Sequence, residues 1–562
     1  MSSLRRSGIG LANEKCLSPE SKLLVHKAAR SVTELQPHLS NVTDVILFLE
    51  ILGYDHPTLQ KYGFKSVHDF ANHIYEITDF YDEEKQSETN RRNKQFETNV
   101  PSFSKRLVDG VSLIAPLIGV LTLLYLTGFS LWMSSALPAD ITIAFVGGVF
   151  IGLIASEGQL IAFSRIFSFH YFQGNIVEAR RVIRRHYLFT ALSISVLSFL
   201  IFMGGIVSII PPMLVLITVL GIVSISLHRA SYLLLFSTKK LKEVLLGFLM
   251  AIVVFYIAIN ALEPKTLSEN TDRYFMSFTV SLLALSVVPA YRHYRLFGGK
   301  IPFSQGSAVE LPKFYSATSS YKHTIKSRFG TQVWENLSYL IYGIFYFIIL
   351  FGDRIVSWVY TPGVLIGSNG VTLPLIFNSA YHIGADLALF TIIPGAIYQF
   401  LLLSPFQTRI NNMTLALKIS NISLLNDFIR VTYKKMIFFC LLIGLIFAGL
   451  LIVFGPYIIH FLGGDDISID ILKVSSLGGV FLSMFAGNAA VLIFLNRTKY
   501  LALITVISAI VLLSLGMHFG SYGYGNIVYA YLIATVFAAS ISSVYVLKII
   551  GNASSILFAK YS

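Results

Sequence analysis

Charge is what this chain has least of. Of its 562 residues only 13% are Asp, Glu, Lys or Arg, while 54% are hydrophobic; soluble domains carry roughly 25% charge. A soluble globular protein is excluded on that ground. Acids are the scarcer sign, 30 against 43 Lys and Arg, and in the apolar runs they stand singly. A glycosyltransferase or hydrolase centre needs grouped carboxylates, so an enzyme is not expected. Cysteine is nearly absent: Cys16 and Cys440 are too few and too far apart for a disulfide framework or a metal site. No Gly-Lys-Ser/Thr phosphate loop occurs, which excludes a built-in ATPase, and nothing in the chain calls for a cofactor. No secretory leader is read, because the first ~105 residues are polar and the first long apolar run begins beyond the reach of an h-region.

What is present is a series of about twelve apolar runs. They lie at 108–133, 139–163, 188–209, 212–236, 243–262, 274–291, 336–360, 373–403, 436–459, 471–495, 500–518 and 526–548, each near the ~20 residues that cross a bilayer core. Alternate connections are basic. They hold 22 Lys and Arg, among them Arg165, Arg180, Arg181, Arg184, Arg185, Lys240, Arg292, Arg295, Lys435 and Arg497. The intervening connections hold only Lys265, Arg273 and Lys473. Cytoplasmic loops retain Lys and Arg, so the pattern implies an even number of crossings of a cell membrane with both termini cytoplasmic. The net charge of +13 then faces anionic lipid, and no nucleic-acid partner is expected.

Residues 1–105 read as a small cytosolic helical domain and linker. Val42–Leu52 is apolar but too short to span, and Val67, Phe70, Ile74 and Ile77 recur at helical spacing. His68, Asp69 and His73 have the residue types of a metal site, yet no fourth ligand stands at a useful spacing, so no metal is expected. The longest break between runs, 292–334, is basic and carries Gly298, Gly299 and Pro302. It separates a six-helix lobe at 106–291 from another at 335–550, ahead of a tail at 551–562. The expected fold is an all-α polytopic membrane protein: about 12 transmembrane helices in two six-helix lobes, plus the helical N-terminal domain. Such a plan implies a parallel repeat with a substrate site between the lobes. In support, Val177–His186 and Leu425–Lys435 both read as amphipathic, basic interfacial helices that lead into the third and ninth runs.

Charges inside the apolar runs cost at least ~2.5–3.5 kcal/mol each on insertion scales, so each asks for a reason. Glu157 falls in the second run, Arg229 in the fourth beside His228, and Asp353 and Arg354 toward the outer end of the seventh. Asp386 falls near the middle of the eighth, four residues after His382 and on the same helical face. These six, His382 included, are the transport-path candidates. Each keeps a structural alternative: Asp353, Arg354 and Arg229 as interfacial side chains that reach water, and Glu157 as the partner of Arg165 or of a neighbouring helix. Opposite charges from the two lobes, paired in one access state and parted in the other, would make a bistable element. Pro394 and Gly395, eight residues past Asp386, are hinge candidates, because proline removes a helix hydrogen bond.

Several segments resemble a known family. Gly158–Arg185, with Gln159, Ser164, Arg165 and the EARRVIRRH stretch, is similar to the second-to-third-helix loop of multidrug/oligosaccharidyl-lipid/polysaccharide exporters. Tyr342–Trp358 and Tyr381–Gly395 resemble the seventh and eighth helices of the Pel exopolysaccharide membrane transporters. Arg354 stands where that family's pattern has Lys, a mild exchange for a charge near a helix end, and the first ~105 residues have no counterpart in it. The resemblance implies a two-lobed flippase that exports a polysaccharide or lipid-linked saccharide by alternating access, driven either by a proton or sodium gradient acting through Glu157 or Asp386 or by a partner cytosolic glycosyltransferase that pushes the growing chain. The alternatives are a cation-coupled drug antiporter of the same superfamily and a non-transporting membrane scaffold for a cytosolic glycosyltransferase.

Overall fold

The computed structural model describes residues 18–35, 42–75, 102–128, 137–173, 175–207, 210–238, 240–261, 267–297, 329–362, 365–366, 372–373, 375–416 and 422–551. The chain divides into two compact units, one of Met1–Pro101, Gln407–Ile429 and Leu557–Ser562, the other of Ser102–Phe406 and Arg430–Ile556.

The first unit begins with α1 (Pro19–Leu35), α2 (Val42–Ile51), α3 (His56–Lys61) and α4 (67–75). Val25, Ala28, Ala29 and Val32 of α1 recur at helical spacing and close a core with Val45, Leu49, Leu59, Phe64, Phe70 and Ile74. Asp55 caps α3 by accepting from the Thr58 N–H (3.1 Å), and Ser66 caps α4 by accepting from the Asp69 N–H (3.1 Å). Asp69 Oδ2 in turn accepts from the Lys65 N–H (3.1 Å), and His73 rests edge-on against Phe64. These residues order a helix start and its packing.

The second unit opens with α5 (Phe103–Thr127), which covers most of the first expected run; the rest of that run, past Gly128, lies outside the described residues. Then come α6 (Ala139–Phe172), α7 (Ile176–Val207), α8 (Pro212–Ser231) continued by α9 (Leu233–Ser237), α10 (Leu241–Ala261) and α11 (Leu267–Phe297). The second half holds α12 (Phe329–Glu335), α13 (Leu337–Tyr360), a hairpin of β1 (Leu365–Ile366) and β2 (Thr372–Leu373), then α14 (Ser379–Ala388) and α15 (Ile392–Ala416). It ends with α16 (Ile422–Phe461), α17 (Asp466–Phe494), α18 (Thr498–Gly520) and α19 (Ile527–Ile550), the parts of α15 and α16 within 407–429 being counted to the first unit. Among the described residues, eleven helices are long and apolar enough to cross a membrane. The protein is a polytopic helical membrane protein.

Two expectations change. The two amphipathic segments are not separate interfacial helices, since they form the first turns of the continuous helices α7 and α16. The eighth run is broken, as described below. Most of the basic 292–334 break, at 298–328, lies outside the described residues.

Small residues set the packing distances. Gly148 and Gly152, four apart on α6, let α8 come to backbone contact, so that a Cβ at Gly221 would stand 2.7 Å from the Phe145 carbonyl. Phe145 then packs edge-on to Tyr274 and Phe278 of α11. α6 also runs antiparallel to α12 and α13 of the second half: Phe150 meets Phe351 and Gly158 meets Gly343 of α13, and His170 meets Gln332 of α12. This seam joins the two halves.

Candidate functional site

Arg354, in the second half of α13, is 1% exposed and is the largest fully enclosed side chain of the described residues. Its guanidinium fans four hydrogen bonds. Nε donates to Asp386 Oδ1 (2.7 Å), Nη1 to Asp353 Oδ1 (2.9 Å) and to the Leu350 carbonyl (3.0 Å), and Nη2 to the Ala385 carbonyl (2.8 Å). A buried charge is tolerated when it is paired and its remaining donors are satisfied, and the rigid planar fork of arginine meets that demand. Lysine, with a single ammonium, does not reproduce this fan. The exchange at 354 is therefore not a mild one, because the side chain is enclosed in the interior and does not reach water.

The other side chains of the cluster are aligned by local signals. Asn378 caps α14 by accepting from the Tyr381 N–H (2.8 Å) and donates to Thr361 at the end of α13 (2.9 Å). That cap sets the rotation of α14, which brings Tyr381 and Asp386 to α13. Tyr381 donates to Asp353 Oδ2 (3.0 Å), and His382 Nδ1 lies 3.2 Å from Asp386 Oδ2. Trp358 Nε1 donates to His382 Nε2 (3.0 Å). Gly384 lets the back of α14 lie against Ser468 and Ile471 of α17.

Glu157 and Arg229, the two candidates of the first half, form an ion pair with each other, α6 to α8. Arg165 is not Glu157's partner; it donates to Asn496 Oδ1 (2.9 Å) and lies over the Tyr339 ring (4.4 Å). The opposite charges thus pair within each half in this conformation, where the sequence suggested pairing between lobes. The physical reason is depth: each pair satisfies itself on adjacent helices of its own half, so neither charge is left to face apolar surface.

Aromatic rings connect the two pairs along the seam. Arg229 lies 6.0 Å from the Phe347 ring, Phe347 is 5.8 Å from Phe351, and Phe351 stacks on Phe150 of α6 at 4.6 Å. Phe150 then stacks on Trp358 (5.7 Å, 4° between planes), and Phe377 stacks on His382 (4.5 Å). Toward the other end of α13, Tyr346 is 5.8 Å from Tyr342 and 6.1 Å from Phe347. Phe347, Phe351 and Trp358 share the face of α13 that meets α6, while Tyr342 and Tyr346 lie on another face, against Phe485 of α17.

The eighth run is not one kinked helix. α14 ends at Ala388, a 3-10 turn covers Leu389–Thr391, and α15 starts at Ile392. Pro394 falls in the first turn of α15, where a missing N–H costs nothing, so the proline starts a new helix. Gly395 allows that helix to touch Ser483 of α17, whose hydroxyl occupies the space a Cβ would need.

Four of the six charged or ionisable candidates, Asp353, Arg354, His382 and Asp386, come together in one cluster, and Glu157 with Arg229 makes the second. Sequence reasoning missed Tyr381, Trp358 and Phe150. Trp358 lies four residues after Arg354, on its face of α13, and that spacing is a signal; nothing in the sequence ties Phe150 to it.

The sequence pattern of PelG exopolysaccharide exporters (EPS-E) matches residues 110–558. No curated protein sequence matches the chain. Solved structures of similar fold include a MATE in the bent conformation (14% identity, TM-score 0.52, covering 81% of this chain and 100% of that one). Others are an outward-facing multidrug resistance MATE family transporter of the MOP superfamily (14%, 0.51, 81% and 98%) and a MOP superfamily transporter from Pyrococcus furiosus (13%, 0.50, 81% and 97%). The shared feature is the fold.

Proposed function

Because the chain belongs to the PelG family of exopolysaccharide exporters, a membrane transporter family, we propose that it moves a polysaccharide or lipid-linked saccharide outward by parting and rejoining its two halves along the α6–α13 seam. The observation that carries this reading is the row of rings Phe347, Phe351 and Trp358 on the face of α13 that meets α6, with the Glu157–Arg229 pair beside Phe347 and the Arg354 cluster beside Trp358. Sugar rings stack on aromatic faces, and ion pairs that close within each half leave the halves free to separate. The Arg354 cluster braces α13 against α14, the Glu157–Arg229 pair braces α6 against α8, and the break before Pro394 and Gly395 is the hinge.

The basic connections face the cytoplasm and both termini lie there, by the distribution of Lys and Arg. The chain performs no chemical step of its own. A cytosolic glycosyltransferase feeds the saccharide, docking on the residues ahead of α5 or on the basic break between the halves. The MATE fold of the neighbours gives a drug antiporter as the second reading.

The test is extracellular saccharide from cells producing Phe347→Ala and Phe351→Ala, with membrane levels of the protein measured in parallel. Export along α13 predicts lowered output at normal protein levels. Unchanged saccharide output with altered drug resistance supports the antiporter instead.

A further inference from the structure

The hydrogen bonds of His382 fix its tautomer. Trp358 Nε1–H is only a donor and lies 3.0 Å from His382 Nε2, so Nε2 is the unprotonated, accepting nitrogen. Nδ1 faces the Arg354-bonded carboxylate of Asp386 at 3.2 Å and therefore carries the ring proton. With His382 neutral, the two carboxylates of Asp353 and Asp386 face the single positive charge of Arg354. The buried cluster thus holds one negative charge in excess, and one added proton balances it.

All four carboxylate oxygens already face donors: Arg354 Nη1 and the Tyr381 hydroxyl on Asp353, Arg354 Nε and His382 Nδ1 on Asp386. A sodium ion would have to displace an ion pair. A proton has an acceptor that yields at the cost of one neutral hydrogen bond, His382 Nε2.

We infer that His382 Nε2 is the site at which this transporter takes up a coupling proton, and that protonation releases Trp358. The inference rests on the export reading above. Adding the proton sets one N–H against another across the Trp358 contact, so that bond breaks, while the imidazolium keeps its hydrogen bond to Asp386. Trp358 is one of two rings through which α13 stacks on Phe150 of the first half (5.7 Å, 4° between planes), beside Phe351 at 4.6 Å. Proton uptake in the second half therefore loosens its contact with the first. The groups that face His382 are consistent with this. Asp386 stands on its own helix, Asp353 and Arg354 reach it from α13 through Asp386, and Phe150 and Phe377 present rings from α6 and the chain before α14. Tyr531 of α19 stands near the Asp353–Arg354 pair.

The chain has three tryptophans, so Trp132→Phe with Trp334→Phe leaves Trp358 as the only indole. Full-length protein of that kind in lipid vesicles is titrated from about pH 8 to 5, the range in which histidines change charge. The expected result is one step in Trp358 emission, lost in His382→Gln and kept in His186→Gln; His382→Asn serves where His382→Gln does not fold. A flat titration, or a step that survives both His382 variants, overturns the proposal. Saccharide output of cells with the unaltered chain is measured alongside. Its absence, with the fluorescence step present, overturns the export reading and leaves the proton site standing.

Discussion

Arg354 is the residue on which the second half depends most. Removing its guanidinium leaves Asp353 and Asp386 buried without a counter-charge, and breaking a buried pair from one side costs roughly 3–5 kcal/mol. Arg354→Ala should therefore lower the thermal unfolding temperature of the detergent-solubilised protein sharply, and Arg354→Lys should recover only part of it. Recovery by lysine to the original value would contradict the four-bond geometry. At this scale the sequence is half legible. The His382–Asp386 contact follows from a spacing of four on a helix. The Arg354–Asp386 pair joins residues 32 apart across a turn that no spacing rule encodes. Glu157 has two basic residues within plausible reach, and only the packing of α6 on α8 selects Arg229 over Arg165.

Among the elements, α6 and α13 decide how closely the halves approach. A Cβ on Gly343 would stand 2.6 Å from the Gly158 Cα and 2.7 Å from its nitrogen, both backbone atoms that cannot rotate away. Gly343→Val should thus push the helices apart, lowering both stability and saccharide output. Gly330→Val, at a site with nothing within 4 Å of its would-be Cβ, should leave both unchanged. Equal effects from the two substitutions would rule out the close seam. Long apolar helices are legible because hydrophobic length alone specifies them. Their ends are not. α7 and α16 extend without a break through their basic first turns, since Arg and Lys are good helix formers and the amphipathic pattern continues the same period. The start of α15 is legible in Pro394, but the proline opens the helix instead of bending it.

For the whole molecule, the sequence reveals a membrane protein of many spans and two halves, because composition and the alternation of Lys and Arg are global signals that need no contacts. It does not reveal that the halves meet along α6 and α13, since the rings of that seam come from distant parts of the chain. Charges pair within each half and aromatic contact closes the seam between them, so the proposed opening of the seam requires an intact Arg354 cluster. The most direct test is extracellular saccharide from cells carrying Asp386→Asn, with membrane levels of the protein checked in the same cells. The substitution keeps the shape of the side chain and removes the charge that holds Arg354 and His382. Lost export at normal protein levels is the predicted result; unchanged export would contradict a seam that depends on this cluster.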